Sequence, residues 1–282
     1  VHGSLQIAED SVVDGGISLR AASIGGALDC TAATLVAGSN GYALYADRMR
    51  VGADLFFAGG FLAKGQILLE FAVVHGDFDC RQGTIEHEHR TALDAAQLTV
   101  KGDVLCCDTF FSKGTATFVG AAVDGKIDFT DARLVNGTAL ALSLERVAVR
   151  GNLSLKAATI DGGVDLRFAS VGAFEDHARV QPTEVLIEGF TYRSIDGRDV
   201  NERLKWLDEY SKNSPQPYEQ LARAYHIGNR DAKKMPVRPR FESDGKGGRS
   251  GTLQVGCGTV RWTGGSAMAT TPGGCSCGSL RS

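Results

Sequence analysis

The stretch Gly114–Leu134, which reads GTATFVGAAVDGKIDFTDARL, contains the pattern that decides the fold. From Gly114, and again from Gly125, the chain has a glycine, two apolar residues two positions apart, a small residue three further on and another apolar residue two beyond it. Apolar residues at a spacing of two lie on one face of an extended chain, whereas those of a helix recur at three and four. The stretch therefore predicts short strands separated by corners.

The same pattern recurs from the start of the chain to Val171. The spacing between the second apolar positions of successive repeat units is short twice and then long once. This series of three spacings occurs three times before a partial fourth. Self-similarity with a period of about 50 residues is typical of solenoid proteins, and the sequence up to Val171 shows no helical period. The core positions that the pattern predicts are Ile7, Leu19, Cys30, Phe57, Leu69, Cys80, Cys106, Phe118, Phe129, Leu155 and Leu166.

We therefore predict an all-β protein, a right-handed parallel β-helix (a solenoid) in which each repeat makes two coils. Seven or so coils stacked at ~4.8 Å would form a rod about 35 Å long. The right hand is expected because parallel crossover connections almost always have it. The glycine before each strand suits a corner with positive φ or close backbone approach. Small residues are predicted inside the corners at Ala22, Ala33, Ala72, Ala121, Ala132, Ala158 and Ala169.

Four segments are predicted along the chain. Residues 1–171 form the β-helix repeat domain, and residues 172–198 form a linker with a closing strand at Glu184–Tyr192. Residues 199–234 change to helical spacing of apolar residues, which predicts a helical hairpin that caps the rod. Residues 235–282 are rich in Gly, Ser, Thr and Arg without sustained periodicity, which predicts an irregular tail, either disordered or translated in the wrong frame.

Composition limits the classes of function. The 282 residues carry a net charge of −3, whereas nucleic-acid binding would need a clustered basic face. No apolar run approaches the roughly 18–20 residues of a membrane span and no signal segment is present, so the chain as given is expected to be soluble and cytoplasmic. It begins at Val1, inside the repeat pattern, which we interpret as a piece lacking its natural N-terminus. The bare sheet edge of such a piece favours end-to-end self-association.

Three cysteines occupy repeat positions that elsewhere hold Phe or Leu. Cys30, Cys80 and Cys106 alternate there with large apolar residues, which indicates small buried hydrophobes. Cys80 and Cys106 lie one coil apart, so a disulfide between them is conceivable, although the fold does not need it. The three cysteines of the tail lack the usual zinc spacing and an accompanying His.

The stretch Glu86–His89, which reads EHEH, is the one cluster of histidines. On a strand, His87 and His89 would share a face and could hold a divalent metal ion. The other repeats have variable polar residues at this place, Val36–Ser39 and Val135–Gly137. We therefore favour a solvated outward loop and assign no metal site.

Acidic residues form two predicted outward lines. Such ladders could collect cations or a basic partner, but more often they keep a flat β face soluble and discourage edge pairing. Members of a line that are two coils apart are separated by ~10 Å, too far for paired acid–base catalysis. No dinucleotide, P-loop, nucleophile-elbow or zincin motif is present, so no catalytic residue and no cofactor is predicted. The lines are Asp29, Asp79, Asp128 and Asp165, and Asp54, Asp103 and Asn152.

Three segments resemble a known family. The units Ile24–Cys30 (IGGALDC) and Ala92–Gly102 (ALDAAQLTVKG) and the closing segment Pro215–Ala222 (PQPYEQLA) are similar to large actinobacterial repeat proteins commonly labelled "membrane-associated oxidoreductase". The resemblance covers residues 1 to about 234. It implies a β-helical body with pentapeptide-like repeats, a helical hairpin and a hydrophobic C-terminal part that anchors the full-length protein to a membrane.

The chain departs from that family after Lys234. If the reading frame is shifted back by one base, the codons of the segment Ala267–Gly273 are compatible with Gly-Tyr-Gly-Tyr-x-Pro-Trp. That sequence resembles the family at this place. We therefore hypothesise a frameshift, which the nucleotide sequence would test.

The function expected from these observations is a non-catalytic scaffold that presents flat faces to an unknown protein or to a membrane surface. An oxidoreductase, as the family label implies, is the alternative. A β-helical protein that forms polymers through its uncapped end is the second alternative.

Overall fold

The structure is a computed structural model, and it describes residues 2–7, 10–176, 182–196, 200–210, 214–228, 238–243, 249–255, 258–263 and 266–269. The chain divides into two compact units, Val1–Tyr192 and Arg193–Ser282. The first unit consists of short β-strands, whereas the second contains two helices and a separate sheet.

Most strands of the first unit are two or three residues long, as the repeated corners require. The first strands are β1 (Leu5–Gln6), β2 (Val12–Asp14), β3 (Ile17–Ser18), β4 (Ser23–Ile24), β5 (Leu28–Asp29), β6 (Thr34–Val36), β7 (Tyr42–Tyr45), β8 (Arg50–Val51), β9 (Leu55–Phe56), β10 (Leu62–Lys64), β11 (Gln66–Leu68) and β12 (Val73–Val74). They are followed by β13 (Phe78–Asp79), β14 (Thr84–Asp94), β15 (Thr99–Val100), β16 (Val104–Leu105), β17 (Phe111–Thr117), β18 (Ala122–Val123), β19 (Ile127–Asp128), β20 (Arg133–Ser143), β21 (Ala148–Val149), β22 (Asn152–Ser154), β23 (Thr159–Asp165), β24 (Ser170–Glu175), β25 (Glu184–Leu186) and β26 (Thr191–Ile195).

These strands stack into four parallel columns, which we call faces 1 to 4 in the order in which the chain meets them. Face 1 runs from β1 through β5, β9, β13, β16, β19 and β22 to the end of β24. Its strands pair in register from coil to coil, so that Leu5 is opposite Leu28 and Leu28 is opposite Leu55. The predicted parallel β-helix is therefore confirmed, with about eight coils. Its right-handed winding stays a prediction.

The coils alternate in length, which explains why the sequence repeats every two coils. On face 1, Leu55 pairs with Phe78 and Phe78 pairs with Val104, and the second of these steps along the chain is longer than the first. Short coils turn from face 2 to face 3 at glycine with positive φ, such as Gly114 at 121°. Long coils instead carry an outward loop at this corner, such as residues 87–90 within β14.

The predicted core positions face inward. The nine from Cys30 to Leu166 are at most 4% exposed. Ile7 and Leu19, in the first coil, are half-buried because only one coil packs against them. Of the predicted small residues, Ala22 is half-buried, and the other six are buried: Ala33, Ala72, Ala121, Ala132, Ala158 and Ala169.

The chain crosses between two hydrogen-bonded sheets at two seams. Faces 1 and 4 form a sheet of 15 strands, and faces 2 and 3 form a sheet of 11 strands. At each crossing at least one residue per coil has φ between 50° and 73°, and in one coil of seam 1 both Asp108 and Thr109 do. Seam 1, between faces 1 and 2, contains Asp10, Ala32, Gly59, Gln82, Asp108, Asp131 and Ala157. Seam 2, between faces 3 and 4, contains Ala21, Arg48, Phe71, Gln97, Gly120, Arg146, Phe168 and Gly189. Positive φ thus falls mainly on these residues and not on the glycines before the strands of face 1.

Those glycines are needed for close backbone approach at the corner between faces 4 and 1. The Asp54 carboxylate accepts a hydrogen bond from the backbone N–H of Asp77 in the next coil at 2.8 Å. A Cβ on Gly76 would overlap Asp54 Oδ1. In the coil before, the residue at the place of Asp54 is Ala27, and the residue that stacks above it is Ala53 instead of glycine. At Gly76 the missing side chain therefore leaves room for the carboxylate below it, whereas at Gly151, which stacks over Lys126, it leaves room for the backbone carbonyl of Gly125.

The coils continue past the predicted boundary at residue 171. β24 passes from face 4 to face 1, β25 pairs with β23 and β26 pairs with β24. The predicted closing strand Glu184–Tyr192 is thus a strand of the last coil, a turn and the start of β26. This part still supplies core residues at strand spacing, because Val185, Phe190 and Tyr192 are buried.

The second unit begins with the predicted helical hairpin. It consists of α1 (Val200–Tyr210) and α2 (Gln216–Gly228). Leu207 and Leu221, on the apolar stripes of the two helices, are buried, and Tyr218 Oη donates a hydrogen bond to Asp208 Oδ1 at 2.6 Å between the helices. Burial, together with this bond, raises the pKa of Tyr218. That the hairpin caps the rod stays a prediction.

The described part of the predicted irregular tail is a sheet. It contains β27 (Arg238–Ser243), β28 (Arg249–Val255), β29 (Gly258–Thr263) and β30 (Ser266–Ala269), paired antiparallel in chain order. The sequences TLQV and GTVRWT alternate polar and apolar residues, with glycines between them, which is a hairpin pattern that the high Gly and Ser content obscured. The frameshift hypothesis stays a prediction, and residues 270–282 lie outside the described part of the chain.

We expect Gly76→Ala to destabilise the first unit, because its methyl group would overlap the Asp54 carboxylate. Forced overpacking of this kind costs about 1–3 kcal/mol. Asp54→Ala alone should cost about 1 kcal/mol through the lost hydrogen bond to Asp77. The double variant should lose less stability than the two single variants lose together, because Ala53 already packs over Ala27 in this way. Denaturant unfolding of the four proteins measures this, and strict additivity would contradict the account.

Candidate functional site

The aspartates of the first predicted line close turns at the ends of strands. Asp79 Oδ1 accepts the backbone N–H of Arg81 at 2.9 Å, and Asp29 and Asp128 each accept the N–H two residues on in the same way. These are Asx turns, in which the side chain caps its own corner. Asp165 makes the same turn, but it lies on face 3 instead of face 1.

Neighbouring cations neutralise most of these carboxylates. Arg81 Nη2 lies 2.6 Å from Asp79 Oδ2, and Lys126 Nζ lies 3.0 Å from Asp128 Oδ2. Although burial opposes ionisation, hydrogen bonds from Thr130 and Lys126 hold the pKa of Asp128 below its ordinary value. These groups stabilise the fold and leave no carboxylate pair placed for acid–base chemistry.

The second predicted line is a ladder of backbone caps. It includes Asp77, which sequence reading did not place there, between Asp54 and Asp103. Each of the three carboxylates accepts the N–H of the equivalent residue in the next coil, at 2.8 to 2.9 Å. Neighbouring members are therefore one coil apart, about 4.8 Å, and Lys126 stands at the next position. Asn152 ends the line with a 3.5 Å contact to a Glu175 oxygen.

The histidine cluster lies in the loop of a long coil, as predicted. His87 Nδ1 donates to the Thr91 carbonyl at 2.9 Å, and His89 is exposed with φ of 59°. This positive φ interrupts the alternation that would have placed both rings on one face. Glu88 instead pairs with Lys113 of the next coil at 2.9 Å. Metal binding by His87 and His89 stays a hypothesis.

The candidate functional site is the seam 2 row, which we define as Arg48, Phe71, Gln97, Gly120, Arg146 and Phe168. Phe71 and Phe168 are 44% and 51% exposed, and they are two of the three large exposed apolar side chains among the described residues. A left-handed conformation costs a residue with a Cβ about 1–2 kcal/mol, and glycine takes this place in two other coils. A phenylalanine there lies outside the core and takes a backbone conformation that glycine adopts more easily.

Each of the two rings is stacked with an arginine from the coil before. The Arg48 guanidinium carbon lies 5.2 Å from the centroid of Phe71, and that of Arg146 lies 5.5 Å from Phe168. The Phe168 ring continues along the seam, because a Cβ on Gly189 would overlap it. Both arginines are also paired with the residue before them, Asp47 at 2.8 Å and Glu145 at 2.6 Å. The seam 2 row thus contains the same arrangement of a carboxylate, a guanidinium and a ring twice, and the two arrangements are four coils apart.

Face 4, beside the seam 2 row, is flat and bears small outward side chains. Thr99, Ala122 and Ala148 stack there in register. Its far edge carries Lys101 and Arg150, which share Asp124 at 3.1 and 3.3 Å. The first coils of the face add outward Arg50. From Thr99 to Ala148, a flat partner could therefore approach the seam 2 row without meeting a bulky side chain on the strands of face 4.

Sequence reasoning missed the seam 2 row for a physical reason. The repeat pattern identifies inward positions, and seam positions vary from Ala to Arg to Phe because their side chains point outward. The signal that was available is the position itself, two residues after an inward residue such as Leu69 or Leu166 and directly before an inward Ala. The left-handed conformation of this corner is most easily adopted by glycine, and a large exposed aromatic residue is distinctive there.

Two kinds of feature are absent from the described part of the chain. It contains no group of three or more His, Cys, Asp or Glu side chains able to hold a metal ion. None of its helices combines the length and the apolar character needed to cross a membrane.

Comparison of the chain with protein-family models, with curated proteins and with solved structures finds no match.

We expect Asp94→Asn and Asp128→Asn to change stability in opposite directions at pH 7. Burial raises the pKa of Asp94, so its contribution to stability is present at low pH and is lost as the pH rises through that pKa. The pKa of Asp128 is lowered, so its contribution is present at neutral pH and is lost on acidification. Each amide keeps the oxygen that caps the turn. Urea unfolding should show Asp94→Asn more stable and Asp128→Asn less stable than the wild type, each by less than about 1 kcal/mol, and equal signs would contradict this.

Proposed function

We propose that the chain is a non-catalytic interaction scaffold, and that in a longer, membrane-associated form its seam 2 row rests on the membrane surface. The observation that carries the proposal is the pair of exposed phenylalanines, Phe71 and Phe168, in a conformation that disfavours them. Residues that reduce the stability of a fold without packing inside it are commonly kept for binding.

The chemistry of the seam 2 row suits a lipid interface. Aromatic rings insert at the boundary between headgroups and acyl chains, and arginines contact lipid phosphates. In each repeat of the row, one nitrogen of Arg48 or Arg146 meets the neighbouring carboxylate. A guanidinium has five N–H donors, so each arginine keeps donors for a phosphate.

The geometry of the row suits a planar partner. Because the coils stack in register, their seam residues lie in a straight line. Phe71 and Phe168 are four coils apart, about 19 Å at the usual strand spacing. Both rings can therefore touch one flat surface at the same time, with the small side chains of face 4 and the cations Arg50, Lys101 and Arg150 beside them.

The oxidoreductase and polymer alternatives have direct tests. Absorbance and intact mass of the purified protein would reveal a bound flavin or nicotinamide, and finding one would overturn the non-catalytic proposal. Light scattering that rises with protein concentration would instead favour end-to-end assembly.

We expect the protein to co-sediment with vesicles of phosphatidylcholine and phosphatidylglycerol, and to do so less with phosphatidylcholine alone, because the cations beside the rings attract anionic headgroups. The double variant Phe71→Ser/Phe168→Ser should bind the anionic vesicles at least about tenfold more weakly, because two half-exposed rings no longer insert.

Val12→Ser is the matched control, because Val12 is also an exposed apolar residue, at 67%, but lies on face 2. It should bind vesicles as the wild type does. Circular dichroism should show all variants folded, because neither phenylalanine is in the core. Unchanged vesicle binding by the double variant, or failure of the wild type to bind either vesicle, would refute the membrane assignment. Capture of a protein partner by the wild type but not by the double variant would reassign the row to protein docking.

A further inference from the structure

Two core cysteines are stacked directly on one another. Cys80 and Cys106 follow the paired strands β13 and β16, in which Asp79 is opposite Leu105. The backbone N–H of Cys80 donates to the Leu105 carbonyl at 2.8 Å, which holds the two coils in register at this point. Both side chains are fully buried, and they occupy equivalent inward positions of neighbouring coils. The two sulfur atoms therefore meet inside the core.

Their surroundings set this pair apart from the other cysteines. The same inward column holds Phe57 in the coil before the pair and Phe129 in the coil after it, so large rings close both ends. Cys30 belongs to the column too, but Phe57 separates it from Cys80. Cys107 follows Cys106 directly and therefore faces the other way, and all four cysteines are free thiols.

The spacing of the coils fits a cross-link. Equivalent Cα atoms of neighbouring coils are about 4.8 Å apart, within the range of roughly 4.4–6.8 Å that disulfides span. In parallel strands in register the two Cβ atoms keep nearly the same separation, slightly above the usual disulfide range. The bond would need a small approach of the two coils, and strained disulfides of this kind are readily reduced.

We propose that Cys80 and Cys106 form a reversible disulfide that ties the fourth coil to the fifth. The two thiols lose two protons and two electrons as the S–S bond forms. A small thiol oxidant accepts both, such as diamide, whose N=N bond becomes a hydrazine. A thiol reductant such as dithiothreitol returns two hydrogens and restores the free cysteines. The reduced structure is the starting state of this reaction.

The core environment makes the reaction slow but selective. Burial, followed by the contact with Cys106, raises the pKa of Cys80 well above that of a free thiol. The thiolate is the reactive form, so oxidation has to wait for a local opening of the two coils. When the two coils open, the thiol nearest to Cys80 is that of Cys106, and the thiol nearest to Cys106 is that of Cys80. We therefore expect oxidation over hours at moderate temperature, and little reaction elsewhere in the β-helix.

The test is oxidation of the folded protein with diamide, followed by thiol quantification in denaturant and peptide mapping by mass spectrometry. The chain contains 7 cysteines, and we expect two fewer titratable thiols, with one linked pair of peptides that contains Cys80 and Cys106. The thermal midpoint should rise by about 5 °C, because the link closes a loop of moderate length in the unfolded chain. Dithiothreitol should return it to the starting value.

Cys30→Ala is the matched control, since it removes a buried cysteine of the same column. It should keep the linked peptides and the rise in midpoint. The variants Cys80→Ala and Cys106→Ala should lose the linked peptides and the rise in midpoint. If either variant fails to fold, peptide mapping of the oxidised wild type still decides whether the disulfide forms. Linked peptides that join Cys80 or Cys106 to another cysteine, or a wild type whose Cys80 and Cys106 remain free after prolonged oxidation, would overturn the proposal.

Discussion

The hydrogen bonding of each coil to the next in register is the constraint on which this structure depends. It places every residue in a vertical column, so a side chain has to fit the equivalent residues of the coils before and after it. The corner between faces 4 and 1 shows this plainly. A carboxylate in one coil, such as Asp54, caps the amide of the next and excludes a Cβ from Gly76. Where Ala27 replaces the carboxylate, Ala53 replaces the glycine.

The same constraint explains why most polar groups of the β-helix have structural roles. Asx turns at Asp79 and Asp165 cap the corners, and arginines two residues on neutralise them. Aspartates of the predicted acidic lines, which could have collected cations or a basic partner, thereby have structural partners within the fold. The seam 2 row is different, because its phenylalanines neither cap a turn nor fill the core. This contrast is the reason for assigning binding to that row.

Much of the fold could be predicted from the sequence, because the inward residues repeat with the coil. The spacing of Cys30, Phe57 and Cys80 identified both the solenoid and its two-coil period. The end of the β-helix could not be placed, since in the last coil Val185 and Phe190 keep the inward role without the surrounding motif. The antiparallel sheet of β27–β30 was missed because glycine and serine mask its alternation. The left-handed seams were missed because an outward position accepts almost any side chain.

The alternation of long and short coils also restricts how such a chain can lengthen in evolution. A loop at residues 87–90 lies over Gly114, whose missing side chain leaves room for the loop carbonyls of His87 and Arg90. Duplicating a single coil would set two loops against each other, or two glycine corners with no loop between them. Recombination that copies or removes one long coil together with one short coil keeps the order intact. The gene is therefore expected to grow and shrink by pairs of coils, and homologues of different length should differ by whole multiples of that pair.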